Sequence, residues 1–299
     1  MFNGLPFEII SIIAKNIDNS TDLRNFALVC NSCKESVKEV YDKIEIKIDD
    51  WEKYKPKILH YHELFNGLRV HYVEIYDISF PKEDLYLFKD AHTIATTSNH
   101  IQGDLSDIEN IKELTIDIHL DDELINDMEI LDYTRNQFNR IESISGLKKI
   151  ERLFLPQSLL SIGLKGNFSN LRELDIQYTG VSDVSMFGNL EYLNISYCGN
   201  IRDFSALTNV KHLVMCGTTI SDVEPLKNTV WLDMSNCYGV KDVSPLKNAH
   251  TLILRNCLGI SDVSCFKESK IVVLDLMYCD NIKDISMIEN VIPELRYIS

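Results

Sequence analysis

Apolar residues recur along this 299-residue chain with two different periods. From about residue 70 to the end, the pattern L-x-x-L-x-L-x-x-N/C returns again and again. Its second Leu-type position falls at Val73, Ile94, Leu114, Leu131, Leu153, Leu174, Leu193, Leu213, Leu232, Leu252, Leu274 and Leu295, with gaps of 17 to 22 residues. A period near 20 residues is the mark of a solenoid. Each unit holds an alternating x-L-x-L-x stretch, for example ELDIQ at 173–177 and TLILR at 251–255, which predicts a short strand with its Leu-type residues inward and their neighbours outward. One such strand cannot bury its inner face, so the units must stack into a parallel sheet. The pattern predicts about twelve rungs over residues 71–299, spaced cleanly from Leu131 onward and less regularly before it.

Two polar columns accompany the strands. Five residues after the strand Leu stands a cysteine in four repeats, Cys198, Cys237, Cys257 and Cys279, with Asn136 in the same place in another. A small buried side chain here can bond to backbone groups exposed by the turn. An aspartate then recurs at Asp183, Asp203, Asp222, Asp242, Asp262 and Asp284, with a serine two residues on in five of the six. Ser244 before Pro245 reads as an N-cap followed by proline at the first helical position, so each repeat is expected to return on a short α or 3-10 turn. The aspartates read as backbone caps rather than as catalytic carboxylates.

Residues 1–44 have a different period. Ile9, Ile13 and Ile17, then Leu23, Ala27 and Cys30, then Cys33, Val37 and Tyr41 recur at helical spacing, which predicts three short helices. A bundle of this size buries little apolar surface by itself and needs a partner or the adjoining solenoid. Residues 45–70 join the two parts as an irregular first rung or linker: KIEIKI alternates like a strand, and 51–65 is helix-like with Pro56 interrupting it or lying in its first turns.

Composition narrows the functional classes. At 45% hydrophobic residues the chain can bury an ample core, and no run of 18 apolar residues exists to cross a membrane. The apolar start lacks a basic leader and a small-residue cleavage site, which predicts an intracellular protein, cytoplasmic or nuclear. The net charge of −15 repels phosphate backbones and argues against nucleic acid as a partner. No phosphate-binding loop, dinucleotide fingerprint, nucleophile elbow or H-E-x-x-H is present, so no catalytic residue, cofactor or metal is assigned. His60 with His62, and Cys30 with Cys33, lack the further ligands a metal site needs. The sequons at Asn19, Asn167 and Asn194 matter only in a secreted chain.

The repeats resemble the leucine-rich repeat family. Their 20–22-residue unit with I-x-D-V-S-P-L is similar to the internalin-type class, and the turn cysteine to the cysteine-containing class of F-box proteins. Ladders of this kind are also seen in proteins of large DNA viruses and protists. The front of the chain resembles the F-box through Leu5-Pro6-x-Glu8-Ile9, Ile13, Asp22-Leu23 and Leu28-Val29-Cys30, although the family's usual tryptophan three residues after that cysteine is Cys33 here. Together these resemblances imply an α/β protein: an N-terminal three-helix F-box-like bundle, then a leucine-rich-repeat solenoid with a curved parallel sheet and short helical or 3-10 returns. They imply that Leu5, Pro6, Ile9, Ile13, Leu23, Val29 and Cys33 contact a Skp-type adaptor and, through it, a cullin ubiquitin ligase. The repeats would then hold a protein substrate. The alternative is a leucine-rich-repeat interaction scaffold with no role in ubiquitin transfer.

The outward strand positions suggest where a partner binds. They are polar in the earlier repeats, at Arg152, Glu173, Asp175, Gln177, Asn194 and Ser196, and turn apolar and aromatic farther along, at Tyr192, His212, Val214, Trp231, Ile253, Val273 and Met277. Asp233 and Asp275 border this second group, which favours a ligand with an apolar centre and some basic residues.

Overall fold

Each repeat forms a strand of three or four residues because its alternating pattern needs a neighbour on each side. The computed structural model describes residues 33, 45–65, 71–76, 80–96, 103–105, 108, 110–116, 141–143, 147–155 and 168–297, with only the backbone of 45, 57, 60–65, 103, 104 and 141–143. In chain order the strands are β1 (Glu45–Ile48), β2 (Tyr72–Ile75), β3 (Thr93–Thr96), β4 (Gly103–Asp104), β5 (Glu113–Ile116), β6 (Ile141–Ser143), β7 (Arg152–Phe154), β8 (Glu173–Asp175), β9 (Tyr192–Asn194), β10 (His212–Val214), β11 (Trp231–Asp233), β12 (Thr251–Ile253), β13 (Val273–Asp275) and β14 (Glu294–Arg296). All but β4 and β6 form one twelve-stranded parallel sheet in the order β1-β2-β3-β5-β7-β8-β9-β10-β11-β12-β13-β14. At about 4.8 Å per strand the sheet is roughly 50–60 Å long.

The register aligns the repeat leucines. Leu153 pairs with Leu174, Leu174 with Leu193, Leu213 with Leu232, Leu232 with Leu252, and Leu252 with Leu274. Those side chains are fully buried, as are the second inward residues Ile176, Ile195, Met215, Met234, Leu254 and Leu276. They continue into one apolar core that runs the length of the solenoid. The chain returns along the opposite face on 3-10 turns at Glu224–Leu226, Ser244–Asn248 and Ser264–Glu268, which bury Leu226, Leu246 and Phe266. The molecule is thus a parallel β-solenoid, as the pattern predicts.

Two details depart from the sequence reading. Leu131 lies outside the described residues. β5 pairs directly with β7, Leu114 against Leu153, so no rung fits between them. The strand count still reaches twelve because β1 pairs in register with β2 and supplies a rung at residues 45–48, where the sequence suggested an irregular one. Helix α1 (Trp51–Phe65) runs through Pro56 without a break. Asp50 accepts the Lys53 N–H on its side chain at 3.1 Å and the Tyr54 N–H on its backbone at 3.3 Å, closing the helix start. Trp51 anchors α1 to the solenoid. Its indole N–H donates to Asp84 at 2.7 Å, its ring meets the Phe80 edge at 4.6 Å, and Lys55 pairs with the same Asp84 carboxylate at 2.7 Å.

Residues 1–44, where the sequence predicts a three-helix bundle, lie outside the described residues apart from Cys33. That cysteine is helical and fully buried.

Candidate functional site

The turn after each strand fixes the edge of the site. The residue four places after the strand Leu adopts a left-handed conformation in rung after rung: Tyr178, Tyr197, Gly217, Asn236, Asn256 and Tyr278, with φ between 56 and 63°. The next residue is turned into the core: Thr179, Cys198, Thr218, Cys237, Cys257 and Cys279. Each cysteine thiol donates to a carbonyl of the preceding rung, Cys198 to Ile176 at 3.0 Å, Cys237 to Met215 at 3.3 Å, Cys257 to Met234 at 3.2 Å and Cys279 to Leu254 at 3.0 Å. Thr179 and Thr218 stand in the same place but donate their hydroxyls within their own turn, to the Ile176 carbonyl at 2.7 Å and the Met215 carbonyl at 3.0 Å. The cysteine column therefore bonds turn backbone, as its position suggests. Burial pushes the Cys257 thiol up to about 12 and raises those of Cys198, Cys237 and Cys279. Cys198, Cys216, Cys237, Cys257, Cys265 and Cys279 of the repeats are free thiols.

On the opposite face the aspartate column caps the returns. Oδ1 of Asp183, Asp203, Asp222, Asp242, Asp262 and Asp284 accepts the N–H two residues on at 2.8–2.9 Å. This corrects the reading of Ser244 as an N-cap. Ser244 is the first residue of its 3-10 turn, Val243 precedes it without a side-chain cap bond, and the Asp242 carboxylate accepts its N–H.

The outward face of the sheet, the concave side of the curve that the leucine-rich-repeat resemblance implies, carries the residues predicted to bind a partner, in rows set by strand register. One row reads Arg152, Glu173, Tyr192, His212, Trp231, Thr251, Val273 and Glu294. Tyr192, His212 and Trp231 are contiguous in it, and the His212 and Trp231 rings are stacked at 10° with centroids 6.1 Å apart. Thr251 separates them from Val273. The second row reads Phe154, Asp175, Asn194, Val214, Asp233, Ile253 and Asp275, so Val214 and Ile253 flank Asp233. Met277 stands beyond the end of β13 at the rim. Six of the seven patch residues are half-buried and His212 is exposed.

The two bordering carboxylates differ in kind. Asp275 is 1% exposed; Arg255 donates to it through Nε at 2.9 Å and a terminal nitrogen at 2.7 Å, and Arg296 lies 3.7 Å away. It is neutralised and does not serve as an open acidic border. Asp233 is half-buried and accepts the backbone N–H of Ser235 at 3.0 Å, the Ser235 hydroxyl at 2.7 Å and the Cys216 thiol at 3.3 Å. No ion pair neutralises it among the described residues. Burial, reinforced by this carboxylate, pushes the Cys216 thiol up to about 12. Of the polar positions expected to face outward, Asp175, Asn194 and Ser196 are buried in a network: Asn194 donates to Asp175 at 2.9 Å, and Ser196 Oγ accepts the Cys216 N–H at 3.0 Å. The enclosed Asn194 side chain is thereby withdrawn from its sequon.

Of the proposed adaptor contacts, Leu5, Pro6, Ile9, Ile13, Leu23 and Val29 lie outside the described residues, as do the side chains of His60 and His62. Among the described residues no three His, Cys, Asp or Glu side chains converge as a metal site, and no helix is long and apolar enough to cross a membrane. The sequence reading missed a row of exposed tyrosines at the turn edge, Tyr178, Tyr197, Tyr238 and Tyr278. Tyr178 and Tyr197 stack at 4.5 Å and 9°. The signal was there as Tyr at the turn position of three rungs, where a left-handed residue calls for Gly or Asn.

No protein-family profile and no curated protein matches the chain. Among solved structures, internalin C2 from Listeria monocytogenes is similar at 21% identity and a TM-score of 0.44, over 52% of this chain and 76% of that one. The functional domain of InlJ from Listeria monocytogenes, which includes a cysteine ladder, is similar at 14% identity and a TM-score of 0.33, over 75% of this chain and 63% of that one. Neither lends a residue role to this chain.

Proposed function

We propose that the chain is a protein-binding solenoid that makes and breaks no bond itself, and that a polypeptide partner lies across the concave face from β9 to β12. The supporting observation is the row Tyr192, His212 and Trp231: three ring side chains on adjacent in-register strands, two of them stacked. Ring clusters open to solvent favour protein contact, and tryptophan is a frequent energetic centre of such interfaces. Asp233, set between Val214 and Ile253, suits a basic side chain arriving with apolar neighbours. Proximity labelling in cells tests the reading. The double substitution Trp231→Ala with Tyr192→Ala is expected to remove the partners that wild type labels. An unchanged partner set, with circular dichroism intact, contradicts it.

The order and spacing of Leu5, Pro6, Glu8, Ile9, Ile13, Asp22, Leu23, Val29 and Cys30 ahead of the repeats favour a more specific reading. Here the chain is the substrate-recognition subunit of a Skp/cullin/F-box ligase, in the cytoplasm or nucleus, and the concave face holds the protein to be ubiquitinated. Because Cys33 is enclosed in the unbound chain, contact with the adaptor falls to the other six positions. Co-purification with a Skp-type adaptor tests this version. Ile9→Asp with Leu23→Asp places charge in an apolar contact and is expected to abolish co-purification. Equal recovery of adaptor with mutant and wild type leaves the scaffold reading alone.

A further inference from the structure

The second row of the sheet face, from Phe154 to Asp275, treats its polar members alike. One side-chain oxygen ties down the residue two places on. Oδ1 of Asp175, Asn194, Asp233 and Asp275 accepts the N–H of Gln177, Ser196, Ser235 and Met277, at 3.0–3.1 Å. The second oxygen of a carboxylate is then satisfied from a neighbouring rung. Asn194 on β9 donates to Oδ2 of Asp175 at 2.9 Å. Arg255, which follows β12, donates to Oδ2 of Asp275 through Nε at 2.9 Å and a terminal nitrogen at 2.7 Å.

Asp233 breaks this rule. Its register neighbours are Val214 on β10 and Ile253 on β12, whose side chains have nothing to donate. Its three donors, the Ser235 N–H, the Ser235 hydroxyl and the Cys216 thiol, are all neutral and all converge on Oδ1. Among the described residues Oδ2 receives no hydrogen bond and the charge has no counter-ion. Arg255 lines the same recess, but its bonds go to Asp275. The recess, about 660 Å³, is also lined by Ser235, Ile253 and Tyr278 among others, and is wide enough to admit a long side chain.

While the face is open, water reaches the half-buried Asp233 and supplies the missing donor. An apolar contact laid over Val214, Trp231 and Ile253 removes that water. A carboxylate enclosed without a counter-charge is costly, so the partner must bring a donor of its own. The same cost turns away a partner that lacks one. We infer that Asp233 is the specificity-determining residue of the sheet face, and that the polypeptide bound there sets one cationic side chain, lysine or arginine, between apolar residues. The inference rests on the reading of this face as the binding surface. A single free oxygen takes a single N–H, which either cation supplies. The net charge of −15 draws basic polypeptides to the whole molecule, and Asp233 decides where the cation seats.

Selection of phage-displayed random peptides on the immobilised full chain tests the inference, with circular dichroism to show that each variant is folded. Wild type is expected to enrich peptides with one lysine or arginine flanked by apolar residues. Asp233→Asn keeps the Oδ1 acceptor, as Asn194 does at the same position of β9, and removes the charge. It is expected to lose the preference for the basic residue. By calorimetry it should bind a peptide selected on wild type about tenfold more weakly, as for one charge-assisted hydrogen bond. Asp262→Asn removes the same charge from a return turn and is expected to keep both preference and affinity. An equal loss in Asp262→Asn assigns the preference to net charge and overturns the inference. Trp231→Ala separates this inference from the reading it rests on. Peptides that need Trp231 but carry no basic position, or a basic preference retained by Asp233→Asn, overturn the inference and leave the sheet face as the binding surface. Binding indifferent to Trp231→Ala overturns both.

Discussion

Cys257 shows how one side chain closes a rung. Its thiol and the Cys237 N–H both donate to the Met234 carbonyl, at 3.2 and 3.3 Å. Thr179 and Thr218 hold the equivalent place with a hydroxyl, so Cys257→Thr keeps a donor, whereas Cys257→Val keeps the volume and loses it. Urea unfolding is expected to rank valine about 1 kcal/mol below threonine; equal midpoints would remove the hydrogen bond from the account. The raised thiols give a second expectation, with the sign set by proton uptake. Above about pH 9 the unfolded chain releases thiol protons that the native Cys216 and Cys257 retain up to about 12. The native state then binds more protons, so stability falls as pH rises through that window. Melting temperatures measured between pH 8 and 11 check it, and a smaller fall in Cys257→Thr identifies the residue. The cysteine column was legible in the sequence because it recurs at one offset from the strand leucine. Its partner carbonyls were not, because each belongs to the rung before.

At the scale of the element, the return turns depend on aspartate. Hydrogen bonds from the residue two places on hold these carboxyls below their usual range, the backbone N–H first for Asp183, Asp242 and Asp262 and the serine hydroxyl first for Asp203 and Asp284. Below about pH 4 the unfolded chain takes up protons that these native carboxylates refuse, so the stability they contribute is present at neutral pH and is lost as pH falls. Asparagine keeps the acceptor oxygen and does not titrate. Asp242→Asn with Asp262→Asn should therefore flatten the acid decline in melting temperature, and an unchanged slope would argue that other carboxylates govern it. Sequence alone could not rank Asp242 against Ser244 as the cap, since both residue types suit that place. Backbone geometry decided it by making Ser244 the first residue inside the turn. The tyrosine edge was unread although Tyr recurs at the turn position of three rungs, because the exposure of that turn is not visible in a spacing pattern.

For the whole molecule the repeat period predicts a solenoid, and one parallel sheet of twelve strands is what forms. The membership differs at two places. Leu131 fits the leucine spacing, but Leu114 pairs in register with Leu153 with no rung between β5 and β7, and the strand at Glu45–Ile48 joins the sheet although it precedes the clean repeats. Spacing counts candidate rungs, whereas hydrogen-bond register selects them. Leu252 sits at 0% exposure between Leu232 and Leu274, so Leu252→Ala is expected to cost about 2–5 kcal/mol. Leu295 in the last strand is half-exposed, and Leu295→Ala should cost clearly less; chemical denaturation of the two variants compares them. The same register sets Tyr192, His212 and Trp231 side by side, an adjacency the sequence suggested, while it places Met277 at the rim and Val273 beyond Thr251, which it did not. The claim that this concave row is the binding surface is tested most directly by hydroxyl-radical footprinting of the chain with and without the partner captured by proximity labelling. Protection of Trp231 and Tyr192, with the convex turn Ser244–Asn248 unchanged, is the predicted result. Unaltered oxidation of Trp231 and Tyr192, with protection confined to the convex turns, would contradict it.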